Sequence, residues 1–144
     1  MNAIVSEAYS WIGTPYRHQS RCKGAGTDCL GLVLGVWDAV IGDLPETIPA
    51  YTADWSEPQS REDLFIAATR FFRPKPINDA AAGDLILFRM REGAVAKHLG
   101  IQAQIGSEPS FIHSYSGHGV VQSRLTHSWA RRIAARFEFP EKRQ

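Results

Sequence analysis

The sequence predicts one α+β domain, with helices first and an antiparallel sheet second. Three observations carry that reading. Before residue 80, apolar residues recur at the 3.6-residue helical period. After residue 80 they recur at the two-residue period of strands. The chain has 144 residues, the length of a single domain, with no internal repeat, low-complexity tract or linker to divide it. Helices segregated from strands mark α+β architecture; a parallel sheet would need them to alternate.

Residues 3–12 are the first predicted helix, because Ile4, Val5, Ala8, Trp11 and Ile12 recur at its spacing and Gly13 and Pro15 stop it. Residues 14–26 are polar, basic and Gly-containing, hence a loop. Thr27 and Asp28 are N-cap residues for a second helix that reaches about Ile41, with Leu30, Val33, Leu34, Trp37, Val40 and Ile41 in its period and Gly42 at its end. Gly31 and Gly35 sit inside that helix, where each costs about 1 kcal/mol relative to Ala. Their presence predicts a neighbour packed very close to that face. Pro45, Pro49 and Pro58 mark residues 43–58 as an ordered loop. A third helix is predicted from Glu62 to Phe72, with Ser60 as N-cap, Asp63 in the first turn, and Pro74 and Pro76 beyond its end.

The strands follow. Residues 84–88 are an apolar run that reads as a buried strand. Residues 98–105 place Leu99, Ile101, Ala103 and Ile105 on one face and His98, Gly100, Gln102 and Gln104 on the other. Residues 110–115 and 119–124 form a hairpin around Ser116-Gly117. Residues 132–139 alternate again, with Ile133, Ala135, Phe137 and Phe139 on one face.

Composition excludes several classes. Sixteen Lys+Arg against 15 Asp+Glu give a net charge of +1, whereas nucleic-acid and anionic-membrane partners call for a basic surface. A chain 44% hydrophobic and 22% charged is not intrinsically disordered. Two cysteines exclude a disulfide scaffold. No apolar run approaches the ~18 residues of a membrane span. The opening residues, MNAIVSEAYSWIG, lack a basic region followed by an apolar one, so no secretory signal is expected.

Cys29 stands in the first turn of the second helix, on a stripe with Val33 and Trp37. Free amides and the helix dipole at that end favour an anion such as a thiolate. A cysteine nucleophile needs a base, and the base needs an orienting group. His98 and His113 lie on strands expected to be neighbours, so they can touch, and Gly100 leaves room beside His98 for a close neighbour such as a Gly-containing helix. Alone, a helical cysteine or a strand histidine is most often core; the combination points to catalysis. Cys22, in the loop, reads as incidental, although a Cys22–Cys29 disulfide is open in an oxidising compartment. The seven-residue spacing of Cys22 and Cys29 is poor for zinc, and neither a metal nor another cofactor is expected. His18, His118 and His127 read as solvated loop residues, and Arg131, Arg132 and Arg136 as a solvated basic face. Trp11 and Trp37 are core positions, while Trp55 and Trp129 are candidates to line a groove.

At these residues the chain resembles the NlpC-like cell-wall peptidases, a branch of the papain-like cysteine peptidases. The matching pieces are Gly13-Thr-Pro-Tyr-Arg17, Thr27-Asp-Cys-Leu-Gly31, Gly83-Asp-Leu-Ile-Leu-Phe88, His98-Leu-Gly-Ile101 and Phe111-Ile-His-Ser114, in the family's order and across most of the chain. The resemblance implies a papain-like fold with the nucleophile helix packed on an antiparallel sheet. It implies Cys29 as nucleophile, His98 as base and His113 as orienter. It places Tyr16, with Asp28, where substrate or oxyanion is positioned. The implied substrate is the peptide of peptidoglycan. Two departures bear on substrate choice: Leu30 follows Cys29 where many members have Ser, and Tyr16-Arg-His-Gln-Ser20 lacks the common Gly-rich continuation. With Leu30-Gly-Leu-Val-Leu-Gly-Val-Trp37 and Pro49-Ala-Tyr-Thr-Ala-Asp-Trp55, they are similar to the branch found among tail proteins of tailed phages and gene-transfer agents. Phage-like tail or baseplate proteins are then the implied partners. Without a signal, a virion tail is the implied vehicle to the target cell's periplasm. Two other readings compete: a catalytically silent adaptor of the same fold, and a cytosolic Cys–His hydrolase or acyltransferase.

Overall fold

A computed structural model describes residues 2–44 and 62–141 of the chain. Pro45, Pro49, Trp55, Pro58 and Ser60 lie outside the described residues. Helix α1 (Ala3–Tyr9) starts where the Asn2 side chain accepts the Ile4 and Val5 amides. It stops three residues before the predicted Ile12. From Ser10 onward the bonds tighten to i→i+3, as in Trp11 N to Ala8 O at 3.0 Å, and this turn still carries Trp11 into the core. The expected loop holds a small hairpin, β1 (Arg21–Cys22) and β2 (Gly26–Thr27), too short to leave a periodic signal.

Helix α2 (Cys29–Val40) is the central element. Leu32, Val36, Trp37 and Ile41 pack with α1 on one side, and Leu30 and Val33 pack toward α3 (Asp63–Phe71) on the other. The two glycines in α2 have the close neighbours that their cost predicts. A Cβ on Gly35 would lie 2.3 Å from Trp11 Cζ2, and one on Gly31 would lie 2.1 Å from the Ser20 carbonyl oxygen.

The strands are β3 (Arg73–Lys75), β4 (Leu85–Arg89), β5 (Ala96–Gln104), β6 (Ser110–Tyr115) and β7 (Gly119–Arg124). The short helix α4 (His127–Ala130) and β8 (Ile133–Glu138) complete the chain order. One sheet runs β3-β8-β4-β5-β6-β7, with every pair antiparallel. The meander expected from the alternation covers β4 to β7. The last strand instead crosses back to sit between β3 and β4. Pro74 lies in β3, on the sheet edge, where its missing N–H is tolerated. A bulge between Leu87 and Phe88 shifts the pairing with β8, so Ile133 joins the Phe88 side while Ala135 and Phe137 stay on the other. Ile105 lies beyond β5 and is exposed.

Both faces of the sheet are covered. Helices α1 to α3 cover one, and Trp129 of α4 packs with Ile86, Phe88 and Phe111 on the other. This explains why the polar parity of β5 is buried too. Gln102 is wholly enclosed, and its Oε1 accepts from Arg136 Nη1 at 2.9 Å. Arg136 is therefore not part of a solvated basic face. Its Nη1 also meets Asp84 Oδ2 at 3.0 Å, and its Nε donates to the Ile77 carbonyl at 2.7 Å. Lys75 holds the other Asp84 oxygen at 3.1 Å. A charge this buried persists only when paired and hydrogen-bonded.

Candidate active site

Residues 13–17 and β2 are stitched together immediately before α2. Thr27 N donates to Pro15 O at 2.9 Å and Arg17 N to Thr27 O at 3.0 Å. Ser114 Oγ of β6 donates to the same Thr27 carbonyl at 2.7 Å. These bonds fix the first turn of α2 against the start of β5 and the end of β6. A cleft of about 140 Å³ opens there, lined by Tyr16, His18, Asp28, Cys29, Lys97 and His98 among others. Tyr16, Asp28, Cys29 and His98 are thus brought together.

Asp28 lines the cleft and caps the helix, as its place before Cys29 predicts. Its Oδ1 accepts the Gly31 amide at 2.7 Å and its Oδ2 accepts the Gln19 amide at 2.7 Å, with His18 Nδ1 at 3.8 Å. It is the N-cap of α2 and the anchor of residues 18–20.

His98 and His113 touch. His98 Nε2 lies 2.7 Å from His113 Nδ1, and His113 Nε2 lies 2.9 Å from Ser123 Oγ. Ile101 pairs with Ile112 across β5 and β6, which sets the two imidazoles diagonally on one face. Trp129 covers both, with ring centroids 5.8 Å from His98 and 5.3 Å from His113. Gly100 makes room as expected, but for a ring of the sheet instead of a helix: a Cβ there would lie 2.7 Å from Phe111 Cδ2.

The chain of bonds allows two proton arrangements. In one, His98 Nε2–H donates to His113 and His113 Nε2–H donates to Ser123; His98 Nδ1 keeps a lone pair. In the other, Ser123 donates, each bond reverses, and Nδ1 carries the hydrogen. Only the first leaves His98 able to act as a base.

Burial governs the charge states. It lowers the His98 pKa to about 3, helped by His113, and the His113 pKa to about 4, helped by His118. Burial, then the Asp28 charge, pushes the Cys29 thiol up to about 12. The amide of Leu99 in β5 and those of Leu30 and Cys29 at the helix N-terminus oppose that rise but do not overcome it. The thiol rests against the Lys97 carbonyl at 3.9 Å. Burial thus favours a neutral thiol beside neutral imidazoles, against the thiolate that helix position alone favours. Burial also raises the Tyr16 pKa, with Cys29 and Asp28 adding to it, so the phenol stays protonated.

Cys22 and Cys29 are both free thiols. Among the described residues, no group of three or more His, Cys, Asp or Glu is placed to hold a metal ion, and no helix is long and apolar enough to cross a membrane. Three contributors escaped the reading of the sequence. Lys97 and His18 line the cleft and had no motif to mark them. Ser123 had one: the hairpin register pairs His113 with Val121 and Phe111 with Ser123, on the same face. Trp129 packs over the two histidines and lines neither the cleft nor the neighbouring recess.

The fold is similar to several solved structures. An NlpC/P60 family protein from Bacillus cereus aligns with a TM-score of 0.65 at 23% identity, over 96% of this chain and 40% of the other. A protein from Staphylococcus aureus, described as similar to a lipoprotein of the NLP/P60 family, gives 0.62 at 20% identity, over 97% and 41%. Ly7917 gives 0.62 at 9% identity, over 97% and 63%. The chain thus spans about two fifths of the first two. A comparison with curated proteins finds no match. The sequence profile of the NlpC/P60 family, whose members are typically cell-wall peptidases, matches residues 8–137. The chain belongs to the NlpC/P60 family.

Proposed function

We propose that this chain is a cysteine peptidase that hydrolyses peptide bonds of peptidoglycan. One observation carries the reading: two buried imidazoles 2.7 Å apart stand in line beside a helix-borne cysteine in an open cleft. His98 Nδ1 takes the proton of Cys29 as sulfur attacks the peptide carbonyl carbon. The amides around the sulfur and the Tyr16 phenol receive the oxyanion. The C–N bond breaks, and His98 returns the proton to the leaving amine. Water then gives a proton to His98 and opens the thioester, which releases the acid and the thiol. His113 holds His98 in the required tautomer. The proton moves during attack because both groups rest neutral.

Cys29→Ala should abolish release of fragments from purified peptidoglycan, measured by mass analysis of the digest, while thermal unfolding shows an intact fold. Undiminished release by that variant would defeat the assignment; the fragment masses also identify the bond cut. The neutral resting thiol favours one competing reading, a silent adaptor of the same fold. Alkylation separates the two in a Cys22→Ser background: where His98 takes the proton of Cys29, iodoacetamide reacts faster near neutral pH than after His98→Ala, and with an inert Cys29 the two rates are equal. Cleavage of a small amide or thioester, with none of peptidoglycan, marks instead a Cys–His hydrolase or acyltransferase. The motif likeness to phage and gene-transfer-agent tail proteins supports delivery in a tail structure, with baseplate proteins as partners and the wall of a target cell as the place of action. Co-sedimentation with tailed particles tests that placement.

A further inference from the structure

The cleft continues past the histidines. Met90 lines it and also lines a larger recess of about 620 Å³, a volume typical of small-ligand sites. Arg91, Arg131 and Arg132 face this recess with Glu92, and beside them Arg89 is paired with Glu62. They come from two separate segments, residues 89–93 at the end of β4 and residues 131–132 after α4. Since the whole chain carries only +1, the concentration of cations is local. Arg89 shows how an acidic group is held here. It grips the Glu62 carboxylate, whose other oxygen accepts the Ala96 amide at 2.9 Å. Arg132 lies 5.6 Å over the ring of Trp129, the same ring that roofs His98 and His113. The recess and the cleft adjoin at Met90, which lines both.

We propose that this recess is a substrate subsite for carboxylate groups carried by the peptide beyond the scissile bond. The proposal rests on the peptidase reading for what enters the cleft, but not for the binding itself. Guanidinium forks match carboxylates with two parallel hydrogen bonds, and a cationic groove beside the cleft draws an acidic chain along it.

The test uses Cys29→Ala protein, so that nothing is turned over, and follows Trp129 fluorescence or calorimetric heat. The probes are muropeptides from purified peptidoglycan, with carboxylates either free or amidated. The free form should bind about tenfold tighter or more, and the ratio should shrink as salt rises. Adding Arg91→Gln and Arg131→Gln, both at exposed positions, should abolish the ratio. Equal binding of the two forms, or a ratio that survives the double substitution, overturns the proposal. So does a phosphate-bearing wall polymer that displaces the free-carboxylate form at lower concentration. Cleavage is scored separately with Cys29 intact. A ratio without cleavage sustains the subsite and removes the peptidase reading; cleavage without a ratio does the reverse.

Discussion

On the proposed mechanism His98 serves as a base in only one of its two neutral tautomers, and the choice is made at Ser123, on the far side of His113. Ser123 Oγ, 2.9 Å from His113 Nε2, must accept for the lone pair to reach His98 Nδ1. Ser123→Ala removes that acceptor. A hydrogen bond of this kind is worth about 1 kcal/mol, so kcat should fall about five- to tenfold, with KM little changed because Ser123 does not line the cleft. Ser123→Thr keeps the hydroxyl and should restore kcat. His113→Ala should cost more than Ser123→Ala and less than loss of His98. Steady-state kinetics on a soluble muropeptide measures all of them, and a wild-type kcat for Ser123→Ala would refute the tautomer argument. At this scale the sequence exposed the reactive groups and concealed their charge. Cys29, His98 and His113 stand at positions whose period and capping are legible. The thiol's pKa is set by how deeply neighbouring elements bury it, and no local pattern records that. Asp28 shows the same limit: its type and spacing identify a cap, but its second bond, to the Gln19 amide, joins residues that no local pattern pairs.

Helix α2 was legible because everything about it is local: the cap, the period, the terminating glycine. Its two internal glycines also announced close packing, though not the partners. Those partners differ in kind, which yields a ranking. At Gly35 a methyl group would press on the Trp11 ring, a side chain at 2.3 Å that can tilt. At Gly31 it would press on the Ser20 carbonyl at 2.1 Å, a backbone atom fixed by Asp28 N at 3.3 Å and by its place beside β2. Overpacking costs about 1–3 kcal/mol, against about 1 kcal/mol gained in helix propensity. Gly31→Ala should therefore lower the denaturation midpoint clearly, and Gly35→Ala should lower it less. Urea unfolding decides the order, and a stabilised Gly31→Ala would show that residues 17–20 move freely. The elements missed in the sequence are the ones whose existence is not local. Strands β1, β2 and β3 are two or three residues long and exist only through their pairing. The return of β8 between β3 and β4 is accompanied by Arg136 reaching Asp84 and Ile77, and in the sequence Arg136 looks like any other surface arginine.

Across the whole molecule, the sheet is buried on both faces, and this couples stability to pH. Unfolded histidines titrate near pH 6.5. In the fold, His98 holds off its proton until about pH 3 and His113 until about pH 4. Between those limits the unfolded chain binds more protons than the folded one, so stability falls as pH falls. Each histidine contributes a slope of up to about 1.4 kcal/mol per pH unit in that interval. Cys29 gives the opposite limb. Its thiol ionises near pH 9 when unfolded and near 12 when folded, so the unfolded chain loses that proton first and stability declines above about pH 9. The fold should be most stable between about pH 6.5 and 9, the interval in which the thiol and both imidazoles are neutral in either state. Urea midpoints measured from pH 4.5 to 10.5 test this. His113→Asn should flatten the acid limb and Cys29→Ala the alkaline one, each leaving the other limb in place. An acid limb unchanged in His113→Asn would mean that its proton affinity is ordinary and that the imidazole pair is open to water. The neutral resting state of the site would then have to be abandoned, since the same burial underlies both.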